Sequence, residues 1–393
     1  MKSNWQKIKL GDACTLTKGL TYKSGDYASI DDGLVFLTLK SIAKGGGFNF
    51  DGVKYYKGGT HDDQFVTPND LIIANTDLTR AGDVIGAPLF VPQIDKGNKY
   101  VYSMDITKIV TDESKLSRNY LYHYLLTNNV RNYMRGISNG STVLHLKVNL
   151  VNKLDIPLPP LEIQAKIVEI LSGIDAEIRY TNQIVQKTEE LKKGLMQSIL
   201  SFGNKENIRY LALGEIGKVS MCKRIFKNET SATGDIPFYK IGTFGKDPDS
   251  FISQELYDSY RNKYPFPKIG DVLLSASGTI GRKVKYDGRP AYFQDSNIVW
   301  LEHDESKILN DFLFYLYDTI TWQTEGSTIK RLYNDILLKK VIPVPSIKKQ
   351  RQILKVLSAV DEKISVNKKL KERFTLLKNG LMQDIFSQKV NIL

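Results

Sequence analysis

Cysteine and histidine are scarce in this chain, with two and four residues among 393. Cys14 and Cys222 form no CxxC pair and no metal-type histidine cluster appears, so a structural zinc site is not expected. No apolar run approaches the ~18 residues of a membrane span, and the stretch from Met1 to Leu10 has no apolar leader core. These gaps point to a soluble protein of the reducing cytoplasm, with no membrane contact. Catalytic motifs are lacking as well. HExxH is absent, Gly242–Lys246 and Ser277–Lys283 are too short for a P-loop, and Gly45–Gly47 carries no dinucleotide fingerprint. His123 sits in an aromatic helical pattern and reads as a packed residue. No active site is expected, and no metal. Acid is the last shortage: 43 Asp and Glu face 55 Lys and Arg, a net charge of +12. Without a polylysine tail that excess is a distributed positive field, of the kind that serves a polyanion.

What the chain does have is a second copy of part of itself. The segment from Ile156 to Leu200 returns from Ile342 to Phe386, and placing Pro157 on Pro343 aligns the two without a gap, 186 positions apart. Pro159, Gln164, Ile167, Leu171, Ser172, Asp175, Ile178, Leu191, Lys192, Gly194, Leu195, Met196, Gln197 and Ile199 meet identical residues. Two distant copies form no solenoid, so a duplicated module with an internal pseudo-two-fold is expected.

Each copy predicts a long helix after a proline-punctuated strand end, with Pro160 or Ser346 at the first turn. Apolar residues step by four and three along each: Ile167, Leu171, Ile174, Ile178, Val185, Leu195 and Ile199, then Ile353, Leu357, Val360, Ile364, Phe374, Leu381 and Ile385. Thr181, Thr188 and Lys192 break the first seam, Asn367 and Lys371 the second. This is coiled-coil spacing, and about 60 Å of helix cannot bury its stripe in one small domain. Antiparallel packing of the helices on one another is expected.

The regions before the helices carry β-branched and aromatic runs broken by turn residues, and they resemble one another faintly. Leu10-Gly11-Asp12 answers Leu213-Gly214-Glu215, Val35-Phe36 answers Pro237-Phe238, Asp70–Ala74 answers Asp271–Ser275, and Gly140-Ser141-Thr142 answers Gly326-Ser327-Thr328. Elsewhere they diverge, as expected if each copy reads a different target. The fold class is therefore α+β, with mixed regions at 1–155 and 204–345 and long helices at 156–203 and 346–393.

In LPPLEIQAKIVEILSGIDAEI, its partner VPSIKKQRQILKVLSAVDEKI, the LKKGLMQ and LKNGLMQ endings and the Leu-Gly-Asp/Glu starts, the chain resembles the specificity subunit of type I restriction–modification systems over nearly its whole length. Ser346–Lys349 departs from the more typical Pro160–Ile163, with the seam intact. The resemblance implies a non-catalytic reader of double-stranded DNA. Each mixed region would be a target recognition domain on one half of a split site, held apart by the paired helices. Two methyltransferase subunits would dock along those helices and motor–nuclease subunits would join them. S-adenosylmethionine, ATP and magnesium would belong to these partners, with no cofactor in this chain.

Direct readout needs side chains that reach base edges, while other basic groups hold phosphates. The candidates in the first domain are Lys40, Lys44, Asn75, Thr76, Arg80, Asn139, Ser141 and Lys147. In the second they are Lys240, Ser275, Ser277, Thr279, Arg282, Lys283, Lys330 and Arg331. The helix interface is assigned to Ile167, Leu171, Ile174, Ile178, Leu195, Ile353, Leu357, Val360, Ile364 and Leu381. A coiled-coil scaffold whose mixed domains bind other proteins stays open as an alternative.

Overall fold

The computed structural model describes residues 5–43, 47–79, 81–200, 208–322 and 331–390. The chain divides into two compact units. One holds residues up to Asn182 together with those from Lys369 on, and the other holds Gln183–Lys368. The long helices, Leu161–Leu200 and Ile347–Phe386, therefore give one half each to both units. No described helix is long and apolar enough to cross a membrane.

The first unit is closed by an antiparallel ribbon in which Gln6–Lys9 pairs with Asp155–Leu158, Ile8 beside Ile156. Its central sheet runs Cys14–Lys18, Ile106–Thr111, Leu71–Ala74, Pro88–Phe90. Alternation along these strands feeds two cores. Leu71, Ile73 and Ile109 face the helices Arg118–Leu125 and Asn128–Gly136, while Ile72, Ala74 and Ile106 face a second sheet. In that second sheet Leu34–Leu37 lies parallel to Tyr100–Tyr102.

The second unit repeats this plan. Arg209–Ala212 pairs with Val341–Val344, again with Leu211 beside Ile342. Its central sheet runs Gly217–Ser220, Ile298–His303, Val272–Ser275, Lys283–Lys285, and Ile236–Tyr239 lies parallel to Tyr292–Phe293. Val272, Leu274 and Leu301 face one core, Leu273, Ile298 and Trp300 the other. Of the anchors read from sequence, Val35-Phe36 and Pro237-Phe238, and Leu71–Ala74 and Val272–Ser275, fall on equivalent strands, Leu10–Asp12 and Leu213–Glu215 on equivalent short helical turns, and Gly326–Thr328 lie outside the described residues.

Within each unit the helix halves are antiparallel. In the first, Asp175 meets Lys378 at 2.6 Å while Asn182 meets Lys371 at 2.7 Å. In the second, Glu189 meets Lys368 and Lys192 meets Asp361, both at 2.7 Å. Lys192–Asp361 and Asp175–Lys378 are the same ion pair in two copies. The seam does more than join helices. Ile167 and Leu171 lie in one core with Met382 and Ile385, and Ile353 and Leu357 in another with Met196, so both seam ends also cement the mixed domains. Ile364 is buried, Ile174, Ile178, Leu195, Val360 and Leu381 are half-buried, and the Ile199 side chain lies outside the described residues.

One buried glutamine per copy ties helix to domain. The Gln164 carboxamide accepts from Ser117 N–H at 2.8 Å and donates to Lys115 O and Pro159 O, each at 2.9 Å. Gln350 repeats this on Leu309 N–H, Lys307 O and Pro345 O. At the second helix start Ser346 Oγ accepts from Lys349 N–H at 3.3 Å, the expected cap.

Candidate nucleic-acid interface

In the first unit the parallel strands Leu34–Leu37 and Tyr100–Tyr102 end on one side, where Ser103 N–H bonds Leu37 O. The strand Leu71–Ala74 reaches the same side, because Ala74 pairs with Ile106 just after the Ser103–Asp105 turn. A ribbon extends from there: Thr76–Asp77 pairs with Leu144–Leu146, which pairs with Ser138–Asn139. This edge gathers Lys40, Asn75, Thr76, Asn139, Ser141 and Lys147, whereas Lys44 and Arg80 lie outside the described residues. Lys40, Asn139, Ser141 and Lys147 are exposed. Asn75 and Thr76 are buried and turned inward, toward Met104 O at 3.1 Å and Asp105 Oδ1 at 2.7 Å, so in this structure they shape the edge from beneath.

The loop leaving that ribbon is held by groups that the sequence reading missed. The buried Asp77 carboxylate accepts from Thr79 N–H and Oγ1 (2.7 and 2.8 Å), Val84 N–H (2.6 Å) and Ile85 N–H (3.1 Å). Burial pushes its pKa up, but these donors outweigh that and hold the carboxyl below the usual carboxylate range. From the helix behind, Arg131 donates to Ile85 O at 2.5 Å and Asp83 O at 3.1 Å, and Arg135 donates to Gly82 O at 3.3 Å. Burial first, then the Arg135 charge, pulls the Arg131 pKa to about 10, so it stays charged at neutral pH. Gly86 has φ +64°, and a Cβ there would come within 2.6 Å of Met134.

The second unit builds the equivalent edge from other residues. Its turn, Gln294–Asn297, carries Ser296 at φ +54°. Arg331 donates to Ser296 O at 3.0 Å, and Arg224 bonds the Asp295 carboxylate at 2.8 Å. Ser277 and Ser275 are buried and serve inside the fold, on Asn297 Oδ1 at 2.8 Å and Thr279 O at 2.5 Å. Arg282 reaches Phe244 O at 2.9 Å and Thr279 Oγ1 at 3.4 Å, and Lys240 pairs with Asp249 at 2.8 Å. Thr279 is exposed; Lys330 lies outside the described residues.

Lys283 needs correcting. It sits inside the unit, 2.5 Å from Asp318, bonded to Phe314 O and 4.1 Å above the Phe314 ring. Its strand faces the helix Asn310–Tyr317, and burial pulls its pKa down against the opposing Asp318 charge. It anchors the unit and offers no free cation to a phosphate. Arg224, exposed beside the Asp295 turn, is a candidate that the sequence reading missed; the alternation of basic and aromatic residues in Lys223-Arg224-Ile225-Phe226-Lys227 was the available signal.

The loops on the two edges are closed alike yet differ in size. Gly86 N–H bonds Ala74 O at 2.8 Å, and Gly281 N–H bonds Ser275 O at 3.0 Å. The first closure spans residues 75–85, the second only 276–280. A common frame thus carries unlike outward groups. A second repeated feature lies at the helices, where a cleft in each unit is lined by the same three residue types, Met196, Gln197 and Thr319 in one, Met382, Gln383 and Thr127 in the other. Leu191 and Leu377, identical in the repeat, are both exposed. His123, as expected, is packed: it is buried, with Nε2 3.3 Å from Ser172 Oγ. Burial, aided by Lys378, draws its pKa down to about 4.

The sequence model of the family described as "Type I restriction modification DNA specificity domain" matches residues 2–190 and 205–375. A Haemophilus influenzae protein bearing the name of a type I restriction enzyme specificity subunit is 43% identical over 256 residues, 63% of this chain and 66% of that protein. The MjaVIII type I restriction enzyme specificity subunit of Methanocaldococcus jannaschii is 24% identical over 99% of this chain and 93% of its own length. The crystal structure of a type I restriction–modification S subunit from M. genitalium has the same fold, with a TM-score of 0.59 at 17% identity, covering 99% of this chain and 97% of that one.

Proposed function

From the premise that this chain belongs to the type I restriction–modification DNA specificity family, we propose that it reads a split DNA site, each unit taking one half. It is a specificity subunit, the non-catalytic member of such a system. The observation carrying the reading is one strand frame built twice and ending in two unlike loop edges. A symmetric reader would need equal edges. A scaffold would have no use for matched frames with divergent polar rims on a chain of charge +12.

Exposed Lys40 and Lys147 suit phosphate contacts that set register, while Asn139 and Ser141, or Thr279 and Arg331, suit base edges. The repeated helix cleft and the exposed Leu191 and Leu377 support docking of two copies of one partner, the methyltransferase subunit. Motor–nuclease subunits would join that complex. S-adenosylmethionine, ATP and magnesium would act within these partners.

Binding of duplex DNA by the full chain with its methyltransferase partner should fall steeply with salt. Each phosphate neutralised adds about −0.9 to the slope of log K against log salt. Titration at several salt concentrations checks this, and binding indifferent to salt would count against a DNA interface.

A further inference from the structure

We propose that Leu78 is a base-reading residue of the first unit, contacting the 5-methyl group of a thymine in its half-site; this rests on the DNA reading above. Leu78 is 64% exposed. Its neighbours leave it little freedom. Asp77 on one side is buried and takes four hydrogen bonds from the loop, and Thr79 on the other is tied to that same carboxylate by N–H and hydroxyl. Arg131 and Arg135 grip the far limb through Ile85, Asp83 and Gly82 carbonyls. A buried carboxylate and a buried guanidinium are costly to desolvate, and here they fix a short surface turn. Between these tied neighbours a large apolar side chain stands in water.

The surroundings are polar. Lys40, Asn139, Ser141 and Lys147 are exposed on the same edge and suit phosphates and base hydrogen-bonding groups. The apolar feature of the major groove is the thymine methyl, which an aliphatic side chain meets by van der Waals contact. Fixing Leu78 before binding removes the ordering cost that such a small contact could not offset. The second unit's shorter loop offers Gly278 and Thr279 instead of a leucine.

The test uses the full chain in its methyltransferase complex and duplexes in which each thymine of the first unit's half-site is singly replaced by deoxyuridine. One replacement should weaken wild-type binding about fourfold, the worth of one buried methyl-sized group. Leu78→Ala should bind that pair of duplexes equally, and Leu78→Met should keep the preference. Equal wild-type affinity for all duplexes, a preference that survives in Leu78→Ala, or a half-site without thymine would each overturn the proposal. Insertion of Leu78 between base pairs would also overturn it, and would appear as 2-aminopurine unstacking with no dependence on any single methyl. Retained salt-dependent binding in these outcomes leaves the DNA reading standing, and its loss in the wild type would remove that reading first.

Discussion

Replacing residues 1–155 with the matching domain of another family member is expected to rewrite one part of the recognised motif and leave the other untouched. Each unit has its own cores on both faces of its own central sheet, so the exchange removes one set and preserves the other. The junction is tolerant, because the closing ribbon depends on backbone pairing between Gln6–Lys9 and Asp155–Leu158. A donor must still offer an apolar seat to Ile167, Leu171, Met382 and Ile385. Each lost base contact weakens a site by about 1–3 kcal/mol, so sites with the old first part should drop out completely. Sequencing of methylated bases in cells carrying the chimaera checks this. Changes in both parts would show that the units do not read independently.

Gln164→Leu and Gln350→Leu are expected to destabilise the chain by about 3–4 kcal/mol each. Leucine keeps the volume but strands one backbone donor and two carbonyls at a buried site, at about 1–3 kcal/mol per group. The stranded groups in the first unit are Ser117 N–H, Lys115 O and Pro159 O, and in the second Leu309 N–H, Lys307 O and Pro345 O. Both variants should therefore lower stability alike. Glu169→Ala, on an exposed face of the same helix, should stay within about 0.5 kcal/mol. Denaturant unfolding of the full chain measures all three. Glutamine variants as stable as Glu169→Ala would show that these hydrogen bonds do not hold helix to domain.

The helices were legible from sequence because their signal is local and doubled. The identities at one offset accompany a regular apolar step that no strand could use, and Ile167, Leu171, Ile178, Leu195 and Ile199 belong to both. The strand frame was legible where short apolar runs after an aspartate recur, as in Asp70–Ala74 and Asp271–Ser275. The identity of Gln164 and Gln350 was visible, but its cause was not, since two of the three partners of each lie more than forty residues upstream. Asp77 and Arg131 stayed hidden for the same reason. They act on one loop from positions 54 residues apart, and neither carries a motif. Lys283 misled because a basic pair, Arg282-Lys283, looks like a loop rim. Only strand placement shows Lys283 turned toward Asp318 and Phe314. Asn75, Thr76, Ser275 and Ser277 were read as polar and therefore outward. They are polar because buried turns need internal acceptors and donors, and the structure gives them those roles.

The most direct measurement is a single-molecule map of methylated bases in cells expressing this chain with its methyltransferase partner. The account predicts one motif with two unlike specified parts, divided by a stretch of fixed length in which any base is accepted. A continuous motif, two identical parts, or a gap of varying length would contradict it.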